Sequence, residues 1–168
     1  MNNLPKRKSV RLSDYDYSSD GLYFVTVCTE KRACILSQVV GCGVLDAPQI
    51  MLTDSGQKVE NQINKMNGLY NDISVKKYVI MPNHLHLIIE ICGGTSGTPC
   101  PTNSSLSKFI GTFKRFVNAE AGKNIWQKSF YDHIIRDDED LFTKSQYIEN
   151  NPANWLEDEL YTNNKDCL

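Results

Sequence analysis

Several things are scarce in this chain, and each scarcity removes a class of function. No stretch approaches the ~20 consecutive apolar residues that a membrane-spanning helix needs. The basic opening, MNNLPKRKSVRL, leads into no apolar core of the kind a secretory leader carries. None of the six cysteines (Cys28, Cys34, Cys42, Cys92, Cys100, Cys167) stands in a CxxC pair, so zinc-ribbon and thioredoxin-like chemistry have no motif. In a chain of 168 residues, long enough to bury its own core, they read as reduced thiols packed in strands. No P-loop is present, which leaves nucleotide triphosphate chemistry without its phosphate cradle. The expectation is a cytoplasmic globular chain that does not enter membranes, with residues 1–168 as a single domain.

Positive charge is also in slight deficit, with a net charge of −2, but it is unevenly spread. Residues 1–131 hold 15 Lys and Arg against 10 Asp and Glu, and residues 132–168 hold 3 against 10. A basic body followed by an acidic segment can still present a phosphate-binding face. Residues 1–20 form a basic N-terminal arm, 93–105 (GGTSGTPCPTNSS) a flexible loop, and 157–168 an acidic tail.

Periodicity supplies the elements. GLYFVTVCT (21–29) is aromatic and β-branched, which predicts a strand. ILSQVV (35–40) reads as a short strand or turn, and GCGVLDAPQI (41–50) as a loop or small hairpin. From Thr53 the period lengthens: Val59, Ile63 and Met66 recur at helical spacing, with Thr53 or Asp54 as cap. DISVKKYVIM (72–81) and LHLIIEIC (85–92), joined through PNH, form an antiparallel hairpin. Leu106, Phe109, Ile110, Phe113 and Val117 share one helical stripe. A strand through 130–135 follows, with Trp126 and Phe130 assigned to the core. The acidic DDED then opens a last helix that runs to about Asn150, before Asn151-Pro152 turns the chain out of it. The order β, α, β, β, α, β, α contains the split βαβ pattern. The predicted fold class is α+β: a ferredoxin-like, RRM-like antiparallel sheet with helices on one face, plus a C-terminal helix.

Histidine is rare, and two of the three stand one residue apart in VIMPNHLHLIIE (79–90). Side chains alternate along a strand, so Leu85, Leu87 and Ile89 point one way, and His84, His86, Ile88 and Glu90 the other. Two adjacent imidazoles can chelate one ion, although paired surface histidines are common without one. A third ligand has two candidates. His133 would complete a His₃ set of the zinc type. Alternatively, Asn151 lies four residues after Tyr147 on one helical face, and its carbonyl oxygen suits a hard ion such as Mg²⁺ or Mn²⁺. Read alone, Tyr147 is a packing residue of an amphipathic helix and Asn151 its cap.

MPNHLHLII, a following helix, the WQ…YDHIIR segment and YIENNP, in that order, resemble the single-tyrosine HUH transposases, in particular the REP-associated branch. RKSVRLSDYDYSSDGLYFVTVCT resembles that branch too, so the likeness spans roughly residues 7–156. It implies that His84 and His86 hold a metal ion, that Asn151 completes the site, and that Tyr147 attacks DNA to leave a 5′-phosphotyrosine. Asn151 stands where many insertion-sequence members carry Gln, which fits the REP-associated branch. The implied partner is single-stranded or hairpin DNA. The implied assembly is a monomer, or a homodimer that exchanges tyrosine helices. Substrate recognition would fall to Lys6, Arg7, Lys8 and Arg11 of the arm and to Lys76, Lys77, Lys108, Lys114 and Arg115, with His133 assisting near the metal. Two rival readings stand beside it: a non-catalytic nucleic-acid-binding module of the same fold, and a metallohydrolase or replication-type nickase sharing the H-x-H pair.

Overall fold

The computed structural model describes residues 15–41, 48–93 and 104–162. Six strands and three helices follow in the order β1 (Gly21–Cys28), β2 (Ser37–Val40), β3 (Gln49–Leu52), α1 (Asp54–Leu69), β4 (Ile73–Ile80), β5 (His84–Ile91), α2 (Ser105–Ala121), β6 (Tyr131–Ile135) and α3 (Asp138–Asn150). Four strands form the main sheet in the order β4-β5-β1-β6, antiparallel at every pairing. Set aside β2 and β3, and this is the expected split βαβ arrangement, with β1 and β5 in the middle.

A central strand is covered on both sides, and β1 reads accordingly. Tyr23, Val25 and Val27 point to the face where Val59, Ile63 and Met66 of α1 and Phe109, Ile110 and Phe113 of α2 complete the main core. Leu85, Leu87 and Ile89 of β5 join them. Burying each such side chain contributes about 1.5–3 kcal/mol, so the register of β5 is strongly specified. A one-residue slip would put three aliphatic side chains on the histidine face and the histidines in the core.

Helix ends follow local chemistry. The Thr53 hydroxyl accepts from the Gly56 amide (3.1 Å) and donates to the Ile35 carbonyl (2.6 Å), which clamps α1 to the segment before β2. Ser104 caps α2 by accepting from the Ser107 amide, and Gly122 ends it at φ +68. Asp137 caps α3 by accepting from the Asp140 amide. Asn67 exchanges two hydrogen bonds with the Val75 backbone and so ties α1 to the edge strand β4.

The β2–β3 pair forms a separate two-stranded sheet. The 35–40 stretch, read as a short strand or turn, contains the strand Ser37–Val40, and β3 begins at the end of the 41–50 segment read as a loop or small hairpin. Four-residue strands carry too few alternations to stand out. Cys28 and Cys92 carry free thiols, while Cys34 is disulfide-bonded, a departure from the expectation of thiols throughout. Among the described residues, no helix is long and apolar enough to cross a membrane.

Two glycines of α1 separate tight packing from open surface. A Cβ at Gly56 would stand 2.0 Å from the Leu36 carbonyl oxygen, whereas one at Gly68 would meet nothing within 4 Å. In urea unfolding, Gly56→Ala is expected to destabilise the fold by about 1–3 kcal/mol through overpacking against backbone. Gly68→Ala should instead stabilise it by about 0.5–1 kcal/mol through helix propensity.

Candidate metal and tyrosine centre

Alternation along β5 places His84 and His86 on the face opposite the main core, and antiparallel register sets them beside Cys28 and Thr26 of β1. Both are buried, at 0% and 2% exposure. Their Nε2 atoms face each other at 3.0 Å. The outer nitrogens are held: His84 Nδ1 donates to Asn83 Oδ1 (2.8 Å), and His86 Nδ1 lies 2.8 Å from Thr26 Oγ1. The first bond leaves the His84 Nε2 lone pair free to accept, so in this arrangement His86 carries its proton on Nε2. A hydroxyl can donate or accept, so Thr26 also supports the other His86 tautomer, in which both Nε2 lone pairs face the same point.

The third helix closes over this face. Ile148 packs against Ile88 and Ile135, with Leu22, Phe24, Val79 and Leu141 around them. That contact brings Tyr147 above the histidines: its ring lies 5.1 Å from that of His86 and 5.9 Å from that of Phe24, edge-on to both. Phe24 stacks on His86 at 5.1 Å. Asn151 keeps helical backbone angles (φ −57, ψ −41), so it stays one turn below Tyr147 and is buried at 2% exposure.

After α3 the chain folds back. Trp155, buried, packs with Met81 and Val39, and its ring lies 5.9 Å from His84. This anchor delivers Asp158, whose Oδ2 accepts from Tyr147 Oη (3.1 Å) and from Asn151 Nδ2 (2.8 Å). Potential ligand atoms of His84, His86 and Asp158 all lie within 4.8 Å of one another. Asn83 Nδ2 donates to the Leu160 carbonyl (2.8 Å), which fixes the same returning segment to the strand connection. Phe24, His86, Tyr147 and Asp158 line an open cleft of about 450 Å³.

No family model matches the chain. An uncharacterized protein of Haemophilus influenzae is 33% identical over 173 residues, which cover 92% of this chain and 93% of that protein. A protein of Escherichia coli K12 named REP-associated tyrosine transposase is 28% identical over 103 residues, 61% of this chain and 58% of its own length. The solved structure of a REP-associated tyrosine transposase bound to a REP hairpin superposes with a TM-score of 0.60 at 23% identity, over 86% of this chain and 72% of that one. The chain is similar in sequence to a REP-associated tyrosine transposase and shares the fold of the hairpin-bound one.

The donor set fits a divalent cation. The two inward Nε2 atoms and the Asp158 carboxylate offer nitrogen and oxygen donors, and Asn151 Oδ1 is buried without a hydrogen-bond partner. A buried amide oxygen left unpaired costs about 1–3 kcal/mol, which a cation would relieve. Asp158 had been grouped only with an acidic tail, and nothing in its spacing marks it. Thr26 is legible only once strand register is known.

The other nominated residues are distributed differently. His133 turns away to Asp140 (Nε2 to Oδ2, 2.7 Å) and stays outside the cluster. Lys76 pairs with Glu90 (2.6 Å) and Lys77 with Glu149, so both have nearby carboxylates. Lys114 donates to the Gln127 and Ser129 carbonyls and braces the approach to β6. Arg115 is exposed on α2 and lies over the Phe116 ring. Lys6, Arg7, Lys8 and Arg11 lie outside the described residues, as does most of the 93–105 loop.

Burial pushes both imidazoles below the ordinary histidine range, and for His86 the neighbouring His84 adds to it. They are therefore neutral at neutral pH, the state metal ligation requires. The unfolded chain binds these protons more readily, so this contribution to stability is present above pH 6.5 and is lost as pH falls towards about 4. In metal-free buffer the urea midpoint should fall across that window, and a His84→Gln/His86→Gln double variant should show a flatter profile. Burial, then the Asp158 charge and hydrogen bond, push the Tyr147 phenol up to about 12. Ultraviolet titration of Asp158→Asn, with Tyr147→Phe as reference, should place that phenol closer to its ordinary value of 10.0.

Proposed function

We propose that this chain cleaves and rejoins single-stranded or hairpin DNA as a tyrosine strand transferase. Tyr147 is the nucleophile; His84, His86 and Asn151 hold a divalent cation, Mg²⁺ or Mn²⁺. One observation carries the reading. Tyr147 and His86 line one open cleft, the His84 Nε2 faces that of His86 behind it, and Asn151, whose Oδ1 is unpartnered, shares the Asp158 carboxylate with the phenol. Similarity to a REP-associated tyrosine transposase and the hairpin-bound structural neighbour support DNA as the partner.

In the proposed step, Tyr147 Oη attacks the scissile phosphorus in line. The bond from phosphorus to the 3′-oxygen breaks, that oxygen leaves as a hydroxyl after taking a proton from solvent in the open cleft, and a 5′-phosphotyrosine remains. The diester energy is retained, so a 3′-hydroxyl can reverse the step on a new strand. The chemistry that a bound cation supplies is neutralisation of charge on a non-bridging phosphate oxygen and a lower phenol pKa. The protein does the rest. Phe24 and His86 hold the Tyr147 ring edge-on, Ile148 fixes the helix that carries it, and Asp158 Oδ2 receives the phenol hydrogen bond along which the proton departs.

Hairpin DNA from the repeats of the source genome, incubated with Mg²⁺ or Mn²⁺, is expected to yield a covalent protein–DNA adduct. Tyr147→Phe should abolish it, and His84→Ala or His86→Ala should lower its rate by about 100-fold or more. An adduct that survives Tyr147→Phe would remove the nucleophile assignment. Hairpin binding without any adduct would make the non-catalytic binding module the better description.

A further inference from the structure

None of the cations that sequence patterning nominates for DNA, where described, lines the cleft. Two others line the cleft: Arg32 and Lys144. Lys144 lies one helical turn before Tyr147 on α3, and its Nζ sits over the Phe24 ring, 5.4 Å from the centroid. Among the described residues it forms no ion pair within 4.0 Å. Arg32 comes from the connection after β1. There Lys31 and Arg32 both adopt left-handed backbone, at φ +55 and +53, although neither is glycine. The Arg32 amide donates to the Thr29 carbonyl and the Thr29 hydroxyl donates to the Ala33 carbonyl, which holds the turn in this sparsely populated conformation. The turn sends the guanidinium towards the returning segment, where Nη1 lies 3.4 Å from the Glu159 carbonyl.

Strand register fixes their relation to the centre. Along β1, Phe24 carries Lys144, Thr26 neighbours His86, Cys28 neighbours His84, and Arg32 lies past the strand end. Phe24 to Cys28 spans about 13 Å at ordinary strand rise. Asp158 and Glu159 line the same cleft, so an incoming phosphodiester backbone is repelled there and attracted at the two cations.

Building on the strand-transfer reading, we propose that Lys144 and Arg32 are the phosphate-binding residues of the cleft, gripping the DNA backbone on either side of the scissile phosphate. They position the strand along the Phe24–His86–His84 row so that Tyr147 meets the phosphorus between them.

The test uses full-length protein and hairpin DNA carrying a single-stranded flank, with binding measured against salt concentration and adduct formation measured with Mn²⁺. Lys144→Gln and Arg32→Gln are each expected to weaken binding about three- to tenfold and to flatten the salt slope by about 0.7. Lys144→Arg and Arg32→Lys should restore most of the binding. Neutral methylphosphonate linkages placed one at a time beside the scissile position supply the decisive comparison. One linkage should impair the native protein yet add nothing to Lys144→Gln, and another should behave likewise with Arg32→Gln. Unchanged salt slopes and fully additive linkage effects, with adduct formation intact in the native protein, would overturn the assignment and leave strand transfer standing. Absence of both adduct and flank binding in the native protein would instead remove strand transfer, and this inference with it.

Discussion

Everything at the candidate centre depends on two neutral imidazoles held with their Nε2 atoms 3.0 Å apart in a buried place. Desolvation keeps them uncharged, since two imidazolium groups at that distance would repel without water to screen them. Their outer nitrogens are tied to Asn83 and Thr26, so the rings cannot rotate to relieve the contact. One anchor comes from the sheet and the other from the connection between β4 and β5. Thr26 faces His86 across the ladder, and the Asn83 carbonyl oxygen also accepts from the Thr29 amide and hydroxyl. The main core therefore serves the site indirectly, because the leucines between the histidines lock the register that presents them.

The opposite wall is built from a helix and the segment after it. Ile148 seats α3 on the sheet, and Trp155 seats the returning chain, so that Tyr147, Asn151 and Asp158 converge from one continuous stretch. The arrangement holds opposed tendencies. A carboxylate raises the phenol's pKa while the donors beside it are those a cation would use, and the buried Asn151 oxygen is left unpaired. Such local inconsistency is expected where a protein is built to receive something.

Much of the fold was legible because its signals are local. Alternation in 21–28 and 84–91, helical stripes in α1 and α2, and the Asp-rich start of α3 each depend on a few neighbouring residues, and their order sufficed for the split βαβ class. The β2–β3 sheet was less legible, since four-residue strands leave almost no periodicity. In the centre, the H-x-H spacing and the Tyr147–Asn151 interval could be read directly. His133 could not be placed by reading, as its distance from the cluster depends on its bond to Asp140 across a turn.

By itself, then, the sequence determined the strand that carries two imidazoles on one face and the helix that carries a phenol and an amide on one face. Periodicity within an element decides which side chains share a face, and that information is local. Only the tertiary structure decided which surfaces meet. It brought Asp158 from an acidic segment to the phenol, set Thr26 behind His86, engaged Lys76, Lys77 and Lys114 in internal contacts, and turned Arg32 and Lys144 into the cleft. These are contacts between residues far apart in the chain, fixed by register and packing, and no spacing along a sequence encodes them.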